Sequence, residues 1–446
     1  MGPAVTPRFT KFFPVVGYAV FSLLLGAVLL ELGAFVGWSA YHWFRPGPWD
    51  LVGRSPAYDG YEWAPEFWKE EKLRQKSRHA KYVPFRIWGM ESWHSKYVNT
   101  DDTEMGTWRR TLNPRSERCE KQATTKVWVL GGSTVYGAGV PDWATLPSYL
   151  SQELNRGKTG CVVVANLGVE AYVTSQEVIL LIEQLKRGWQ PDIVIFYDGI
   201  NDTLSGTVSP GFPGAPLTFD SIKARVEGSV KGRLDFLRSS YSLRLARTVI
   251  GSLRATGSAK PFNPITSLKA GATLDNYEAN LRIVRALGEA YGFRVYCFWQ
   301  PVVLYGHKAL VPFEQELKEL AGRDAGGRAS PAFASVYDEA QRRAATSGSF
   351  VFLGGIFDSV KDPLYSDWMH LGPRGNELAA KAIASYISLV PTRSPKTSLG
   401  KMSPTKSETP FHGITEGRRT SLKLEGCRSH LLQDEAIRGV SASGAR

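Results

Sequence analysis

The chain is 446 residues long, 43% hydrophobic and 12% aromatic, which is enough to bury a core far larger than a minimal domain requires. The formal net charge of +12 raises the question of nucleic-acid binding. After residue 390, ten Lys and Arg stand against five Asp and Glu, so +5 belongs to a C-terminal tail; the other +7 is spread thinly, without a basic helix or nucleic-acid motif. We therefore expect no nucleic-acid partner and interpret the charge as solvated surface, with some attraction to anionic lipid or glycan.

A long apolar segment lies near the amino terminus. Phe12 to Leu30 contains 19 residues without a charge, and Leu32 to Phe44 extends the run after Glu31. A helix of about 20 residues crosses the hydrocarbon core of a bilayer. The apolar part of a cleaved signal peptide, which is the alternative, is shorter, at roughly 7 to 15 residues. The aromatic residues at the end of the segment also suit a membrane interface.

We therefore predict a single-pass topology for this amino-terminal region. Residues 1–11 are expected to be a cytoplasmic N-terminus and residues 12–44 a transmembrane anchor. The main domain would then lie outside the cytoplasmic membrane, in the periplasm or outside the cell. Within the span, Glu31 is expected to lie near one interface or to be neutralised.

The cysteines and histidines carry little chemistry of their own. Four cysteines in 446 residues do not make a disulfide framework. Cys119 lies shortly before the first predicted core strand and Cys161 begins the second, so a disulfide between them is one alternative in an oxidising compartment. Cys297 is expected to be a buried apolar residue. The histidines are not spaced as metal ligands, so we expect neither a metal nor a cofactor.

The domain organisation follows from changes in composition along the chain. Residues 45–120 are rich in Trp and Tyr and are predicted to form a stalk and cap packed on the main domain. From residue 121 to 390, short apolar runs alternate with stretches of helical periodicity. The predicted strands are Val127–Leu130, Cys161–Asn166, Ile193–Tyr197 and Arg294–Trp299, and the predicted helices are Pro147–Leu154, Ser175–Arg187 and Leu274–Tyr291. This alternation predicts a parallel sheet covered on both faces, a three-layer α/β/α domain.

Two segments depart from this alternation. Residues 203–273 combine a Pro/Gly stretch with a basic amphipathic stretch, and we predict an insertion there that shapes access to a neighbouring site. Residues 391–446 are rich in Ser, Thr, Lys and Arg, with Phe411 as the one aromatic residue. This composition predicts a disordered tail.

The loops after the predicted strands are the places to look for a site, because open parallel sheets bind ligands outside the carboxyl ends of their strands. The first strand is followed by Gly131-Gly132-Ser133, where glycines permit a sharp turn that exposes a hydroxyl. No Lys lies between Gly131 and Asp142, which excludes a phosphate-binding loop, and the spacing does not fit a dinucleotide-binding loop. Taken alone, the motif also fits an ordinary turn with an N-capping serine.

Three further motifs follow in a fixed order. Gly168 comes after the second strand, Gly199-Ile200-Asn201-Asp202 after the third, and Asp367-Trp368-Met369-His370 before the last helix. Together with Ser133, they resemble the four sequence blocks of the GDSL/SGNH hydrolases over roughly residues 120–390. The resemblance implies a flavodoxin-like SGNH-hydrolase fold with a parallel sheet. One departure is that Gly132 stands where the family usually has an Asp.

The resemblance also implies a serine esterase mechanism. Ser133 would be the nucleophile, His370 its base, and Asp367 the carboxylate that holds the imidazole in the right tautomer. The oxyanion hole would consist of the backbone N–H groups of Ser133 and Gly168 and the side-chain amide of Asn201.

Some neighbouring polar residues are expected to have other roles. Asp202 is expected to be a structural hydrogen-bond acceptor that holds its loop. His307 follows Trp299-Gln300-Pro301, a turn that is a candidate to line the pocket, and is itself expected to be a surface histidine. Asp358 is a rival partner for a histidine, and Asp367 is preferred on spacing.

Three functions remain open. The first is an esterase that cleaves carboxylic esters through an acyl-enzyme. The second is an O-acetyltransferase or deacetylase that acts on cell-surface polysaccharide, and the third is a non-catalytic, membrane-tethered scaffold. Retention of all five implied site residues argues against the scaffold. The expected partners are an ester substrate, such as an acylated glycan or lipid, and the membrane through the N-terminal helix.

Overall fold

A computed structural model of the protein describes residues 12–44, 52–77, 80–114, 124–156, 161–208, 213–218, 222–223, 240–246, 267–324, 329–387 and 389. The predicted N-terminus 1–11, the predicted tail 391–446 and Cys119 lie outside the described residues. So does most of the insertion predicted over 203–273.

The N-terminal helix α1 runs over Phe12–Phe44. Its apolar stretch Gly17–Ala40 is 24 residues long and contains an 18-residue window with a mean hydropathy of 2.3, and its side chains are mostly exposed. The helix is long and apolar enough to cross a membrane. A membrane anchor and a signal sequence both contain an apolar helix near the amino terminus.

Residues 52–114 form a layer of short elements. Helix α2 (Ala64–Lys76) precedes an antiparallel pair, β1 (Ala80–Val83) and β2 (Ile87–Met90). A second antiparallel sheet contains β3 (Trp93–His94), β4 (Asn99–Thr103) and β5 (Gly106–Arg109). The aromatic composition of this segment is explained by a small core of its own, whose buried aromatic members are Tyr58, Phe67, Trp68 and Tyr97.

A five-stranded parallel sheet lies at the centre of the main domain. Its strands are β6 (Thr124–Gly131), β7 (Cys161–Asn166), β8 (Ile193–Asp198), β9 (Arg294–Trp299) and β10 (Val351–Phe352). Their spatial order is β10-β9-β8-β6-β7, which is the flavodoxin-like order 2-1-3-4-5 when counted along the domain. Every residue of β8 is buried, because the strand lies in the middle of the sheet.

Helices cover both faces of this sheet. They are α3 (Ser133–Tyr136), α4 (Leu146–Asn155), α5 (Thr174–Lys186), α6 (Ile200–Val208), α7 (Ser267–Tyr291), α8 (Pro312–Asp324), α9 (Ala329–Ser347) and α10 (Pro373–Tyr386). Helix α4 packs against α10, while α7 packs against α5, α6 and α9. The predicted three-layer α/β/α domain with a parallel sheet is therefore confirmed. All four predicted strands and all three predicted helices are present, within a few residues of their expected ends except at the start of α7.

The structure shows whether two of the cysteines are free or disulfide-bonded. Cys161, at the start of β7, is disulfide-bonded. Cys297 is a free, buried thiol in β9, and burial raises its pKa to about 12. A thiol with so high a pKa is a packing residue rather than a nucleophile, as expected from the sequence.

Candidate active site

Ser133 lies at the carboxyl edge of the sheet, where β6 ends at Gly131 and α3 begins. This edge is the topological switch point, since β6 pairs with β7 on one side and with β8 on the other. A Cβ at Gly132 would lie 2.2 Å from the Asn201 side-chain nitrogen Nδ2. A side chain at this position would therefore displace the amide of Asn201 from the place that it occupies here.

Ser133, His370 and Asp367 form a continuous chain of close polar contacts. Ser133 Oγ lies 2.7 Å from His370 Nε2, and His370 Nδ1 lies 2.6 Å from Asp367 Oδ2. The other carboxylate oxygen, Asp367 Oδ1, accepts the backbone N–H groups of Met369 and His370 at 2.8 and 2.7 Å. The three-residue spacing lets one turn hold both side chains. Ser133 reaches this turn from 237 residues away.

Burial and charge have opposite effects on the pKa values of His370 and Asp367. Only 12% of the His370 side chain and 19% of the Asp367 side chain are exposed. Burial by itself lowers the pKa of His370, but the charge of Asp367, its hydrogen bond and the more distant charge of Glu170 outweigh burial and raise that pKa above 6.5. Burial likewise raises the pKa of Asp367, but the charge and hydrogen bond of His370 and two backbone N–H groups bring it below 3.8. The pair thus favours a carboxylate beside an imidazole that holds protons more tightly than usual.

Asn201 lies beside Gly132 and Gly168 packs against α3, and the two have different hydrogen-bond partners. Asn201 is buried at the start of α6 and donates one amide proton to the carbonyl oxygen of Tyr172 at 2.7 Å. Its amide has a second proton to offer. The backbone N–H of Gly168 instead donates to Asn166 Oδ1 at 2.9 Å. A Cβ at Gly168 would lie 2.3 Å from the backbone nitrogen of Tyr136, so close packing against α3 by itself requires a glycine there.

Asn166 connects the end of β7 to α3, the helix that begins at Ser133. The sequence alone did not single out this residue. Its side-chain amide donates to the carbonyl oxygen of Val135 at 2.8 Å, while its Oδ1 accepts from Gly168. One buried side chain thus satisfies an otherwise open carbonyl at the end of α3. The only sequence signal for this role is a polar residue at the end of a buried strand.

Other buried contacts hold the two site loops in place. Thr134 Oγ1 donates to Gln300 Oε1 at 2.8 Å, so Gln300 braces α3. Glu314 Oε1 accepts the backbone N–H of Leu364 at 2.8 Å and also that of Tyr365, while its Oε2 pairs with Lys308 at 2.6 Å.

The segment after α1 also contacts the histidine loop. Ser55 Oγ donates to the carbonyl oxygen of Tyr365 at 2.8 Å, and Tyr58 OH donates to that of Gly139 at the same distance. The layer over residues 52–114 therefore braces the loop that carries His370. These contacts join residues as many as 310 positions apart, so local sequence patterns do not reveal them.

The remaining polar candidates fall outside this chain of contacts. Asp202 Oδ1 accepts the backbone N–H of Thr174 at 3.3 Å, as expected for a structural acceptor, and burial raises its pKa to about 6. His307 is exposed, and its backbone N–H donates to Asp358 at 2.8 Å. Asp358 is therefore engaged away from His370. Within the described ranges, no three His, Cys, Asp or Glu side chains are grouped so as to hold a metal ion.

Comparisons with known proteins concern the fold. No family model matches the chain, and no curated protein matches it. Among solved structures, the acetylxylan esterase Axe2 from Geobacillus stearothermophilus is similar at 15% identity, with a TM-score of 0.31, over 60% of this chain and 97% of that one. LAE5, an α/β hydrolase from the metagenome of Lake Arreo, shows 13% identity and a TM-score of 0.31 over 58% and 94% of the two chains. A member of the lipolytic G-D-S-L family from Veillonella parvula shows 13% and 0.28 over 59% and 98%. Likenesses this distant carry no argument about activity.

Proposed function

We propose that the protein is a serine esterase that cleaves carboxylic esters through an acyl-enzyme on Ser133. One observation carries the proposal: the unbroken contact chain from Ser133 Oγ through His370 to Asp367, with distances of 2.7 and 2.6 Å. A serine hydroxyl becomes an effective nucleophile when an imidazole within hydrogen-bond reach accepts its proton. A carboxylate on the far ring nitrogen keeps that imidazole in the required tautomer.

In the proposed first step, Ser133 Oγ attacks the ester carbonyl carbon while His370 Nε2 takes the hydroxyl proton. Asp367 stabilises the imidazolium that results. The alcohol leaves with the proton from Nε2, which leaves an ester between Ser133 and the acyl group. Water then attacks that ester with His370 again as base, which releases the acid and restores the hydroxyl.

The negative charge on the tetrahedral oxygen needs hydrogen-bond donors. The backbone N–H of Ser133, at the first residue of α3, and the second amide proton of Asn201 are the proposed donors. Gly168 N–H is bonded to Asn166 Oδ1, so it can contribute only by sharing that bond or exchanging it. We therefore assign Gly168 the third and weakest place in the oxyanion hole.

We further propose that α1 is an uncleaved anchor and that the catalytic domain lies on the extracytoplasmic side. The 24-residue apolar stretch and its exposed side chains support the anchor, because such a surface is stable in lipid and costly in water. The aromatic residues at its carboxyl end suit the interface on the domain side.

Covalent labelling tests the esterase proposal directly. A fluorophosphonate probe is expected to label the full-length protein, and labelling should be lost in Ser133→Ala, because the probe phosphonylates an activated serine with release of fluoride. Ser175→Ala is the matched control: this half-buried serine accepts a bond from Asn280 and should leave labelling unchanged. Folded wild-type protein that takes up no probe would overturn the proposal, as would labelling that survives Ser133→Ala.

The pH dependence of kcat/KM provides a second test. The free enzyme needs neutral His370, and the pKa of that imidazole is raised, so the acidic limb of the profile is expected at an apparent pKa above 6.5. Glu170→Gln should move the limb to lower pH because it removes one charge that raises this pKa. Glu183→Gln, which removes a similarly exposed carboxylate paired with Arg86, is the control and should leave the limb in place. A wild-type limb at or below 6.5 would contradict the assignment.

The same pair links pH to stability, with opposite signs for its two members. Because the pKa of His370 is raised in the folded protein, protonation of this imidazole stabilises the fold. This contribution is complete below pH 6.5 and is lost as the pH rises through the pKa of the folded state. Because the pKa of Asp367 is lowered in the folded protein, ionisation of this carboxyl group stabilises the fold. This contribution is complete above pH 3.8 and is lost as the pH falls through the pKa of the folded state.

A further inference from the structure

The carboxylate of Glu31, inside the apolar helix α1, is bound by a segment from the insertion. Ser240 and Ser242 each donate their hydroxyl to Glu31 Oε1, and the backbone N–H of Tyr241 donates to Oε2 at 2.8 Å. Residues 241–246 form one short helical stretch, and Ser240 precedes it. Glu31 thus accepts hydrogen bonds from the start of this stretch, which lies more than 200 positions away along the chain.

Apolar contacts continue along the same side of α1. The rings of Phe35 and Tyr241 meet edge to face, with centroids 4.9 Å apart. A Cβ on Gly37 would lie 3.4 Å from a methyl carbon of Leu245, so the two backbones approach closely there. Ala34 is only 6% exposed on a helix whose other apolar side chains are mostly exposed. Segment 240–246 therefore runs alongside α1 from Glu31 towards its carboxyl end.

The depth of this contact follows from helix geometry. Glu31 lies nine residues before Ala40, where the apolar stretch ends, which is about 13 Å at 1.5 Å per residue. The hydrocarbon core is about 30 Å thick, so the carboxylate falls inside it if α1 spans the bilayer. A carboxylate there is costly, and hydrogen bonds from neighbouring donors reduce that cost. The insertion supplies three donors for the two oxygens, which explains how an apolar span tolerates Glu31.

We infer that segment 240–246 is a second membrane element, docked on the anchor at bilayer depth through Glu31, with lipid acyl chains as its other neighbours. The inference rests on α1 spanning a bilayer, as proposed above, and not on esterase activity. It implies that α1 stays with the mature protein, since cleavage would remove the acceptor of three hydrogen bonds. The segment belongs to the connection between α6, which carries Asn201, and α7. The domain is then attached to the membrane at two points, one of them in the connection that leaves the site.

Disulfide trapping tests the docking in the full-length protein in membranes. Phe35→Cys with Tyr241→Cys should crosslink on mild oxidation, and a protease site placed within residues 45–51 makes the product visible, because only the crosslink then joins the anchor to the rest of the chain. Phe21→Cys with Tyr241→Cys is the control pair; Phe21 is 63% exposed and lies ten residues from Glu31, about 15 Å along the helix. We expect at least tenfold more joined product from the first pair. Equal yields would overturn the inference.

Removal of the carboxylate should weaken the docking. Glu31→Ala is expected to lower the yield of the 35/241 crosslink severalfold, and Glu31→Gln, which keeps one acceptor oxygen, should fall between the two. Cooperative thermal unfolding of each variant shows that the catalytic domain remains folded. An unchanged yield in folded Glu31→Ala would overturn the role of Glu31.

A depth measurement separates membrane burial from a contact in water. An environment-sensitive fluorophore on Leu243→Cys, in a Cys427→Ser background and in phosphatidylcholine vesicles, should be quenched by brominated lipid and protected from aqueous iodide. Leu243 is 38% exposed, so its label can reach surrounding lipid. A label on Lys361→Cys, an exposed loop position of the domain, should respond in the opposite way. Iodide quenching of both labels without lipid quenching, or release of the protein from membranes by carbonate, would overturn the membrane location while leaving the esterase proposal untouched.

Discussion

Replacement of His370 with Ala is expected to lower kcat for hydrolysis of a soluble ester by about 10⁶-fold, since loss of the base in a comparable triad removes nearly all the catalysis that the triad provides. Ser133 Oγ has its 2.7 Å contact to Nε2, and the variant leaves the hydroxyl without that proton acceptor. KM should change far less than kcat, because the imidazole accepts the proton during the chemical step and does not bind the ester. Steady-state kinetics with 4-nitrophenyl acetate measure both.

His307→Ala is the matched control for this variant. His307 is exposed, and its hydrogen bond to Asp358 uses the backbone N–H, which Ala retains. Its kcat should stay within about twofold of wild type, as expected of a surface substitution away from a site. A folded His370→Ala enzyme that loses less than tenfold in kcat would mean that another group deprotonates Ser133.

Asp367→Asn is expected to lower kcat by about 10⁴-fold, the size of effect known for this change in a serine triad. Asp367 Oδ2 lies 2.6 Å from His370 Nδ1 and can accept a hydrogen bond from an N–H at that nitrogen. An Asn amide at that position offers an N–H instead, which favours the tautomer with the proton on Nε2. His370 then has no lone pair with which to accept the proton of Ser133.

The comparison with Asp358→Asn distinguishes between two carboxylates that the sequence left in competition. Asp358 accepts the backbone N–H of His307, and both ring nitrogens of His370 contact other side chains, so substitution of Asp358 should change kcat by less than about twofold. Both variants are measured at a pH above the acidic limb, with thermal unfolding as the check on folding. A larger loss in Asp358→Asn than in Asp367→Asn would reverse the assignment of the carboxylate.

Much of the main domain is predictable because its longer strands contain apolar runs. β7 and β9 have the same bounds in the structure as in the sequence prediction, Cys161–Asn166 and Arg294–Trp299, since each contains an apolar run bounded by polar or glycine residues. The two-residue strand β10 is too short for any periodic pattern. Strands β1 to β5 were also not predicted, because runs of two to five residues joined by tight turns depend on their partners for stability.

The expected boundary of the stalk and cap at residues 45–120 remains a prediction, and so does the insertion over 203–273. The described part of each nevertheless contacts other regions of the chain. Ser55 is bonded to the loop that carries His370, and Ser240 is bonded to α1. Such contacts depend on how distant elements pack, and composition alone does not reveal them.

The sequence by itself determined the α/β class, the parallel sheet and the set of loops that meet at one edge. These features follow from the order in which short apolar runs and helical stretches alternate along the chain. It also singled out Ser133 and the Asp367/His370 turn, since residue type and order along the chain suffice for that. Only the tertiary structure decided that Asn166 holds Gly168 N–H, that Gly132 lies against the amide of Asn201, and that Ser240 is bonded to Glu31. The physical reason is range: a hydrogen bond or a close approach is decided within a few ångströms, between residues that the chain separates by tens or hundreds of positions.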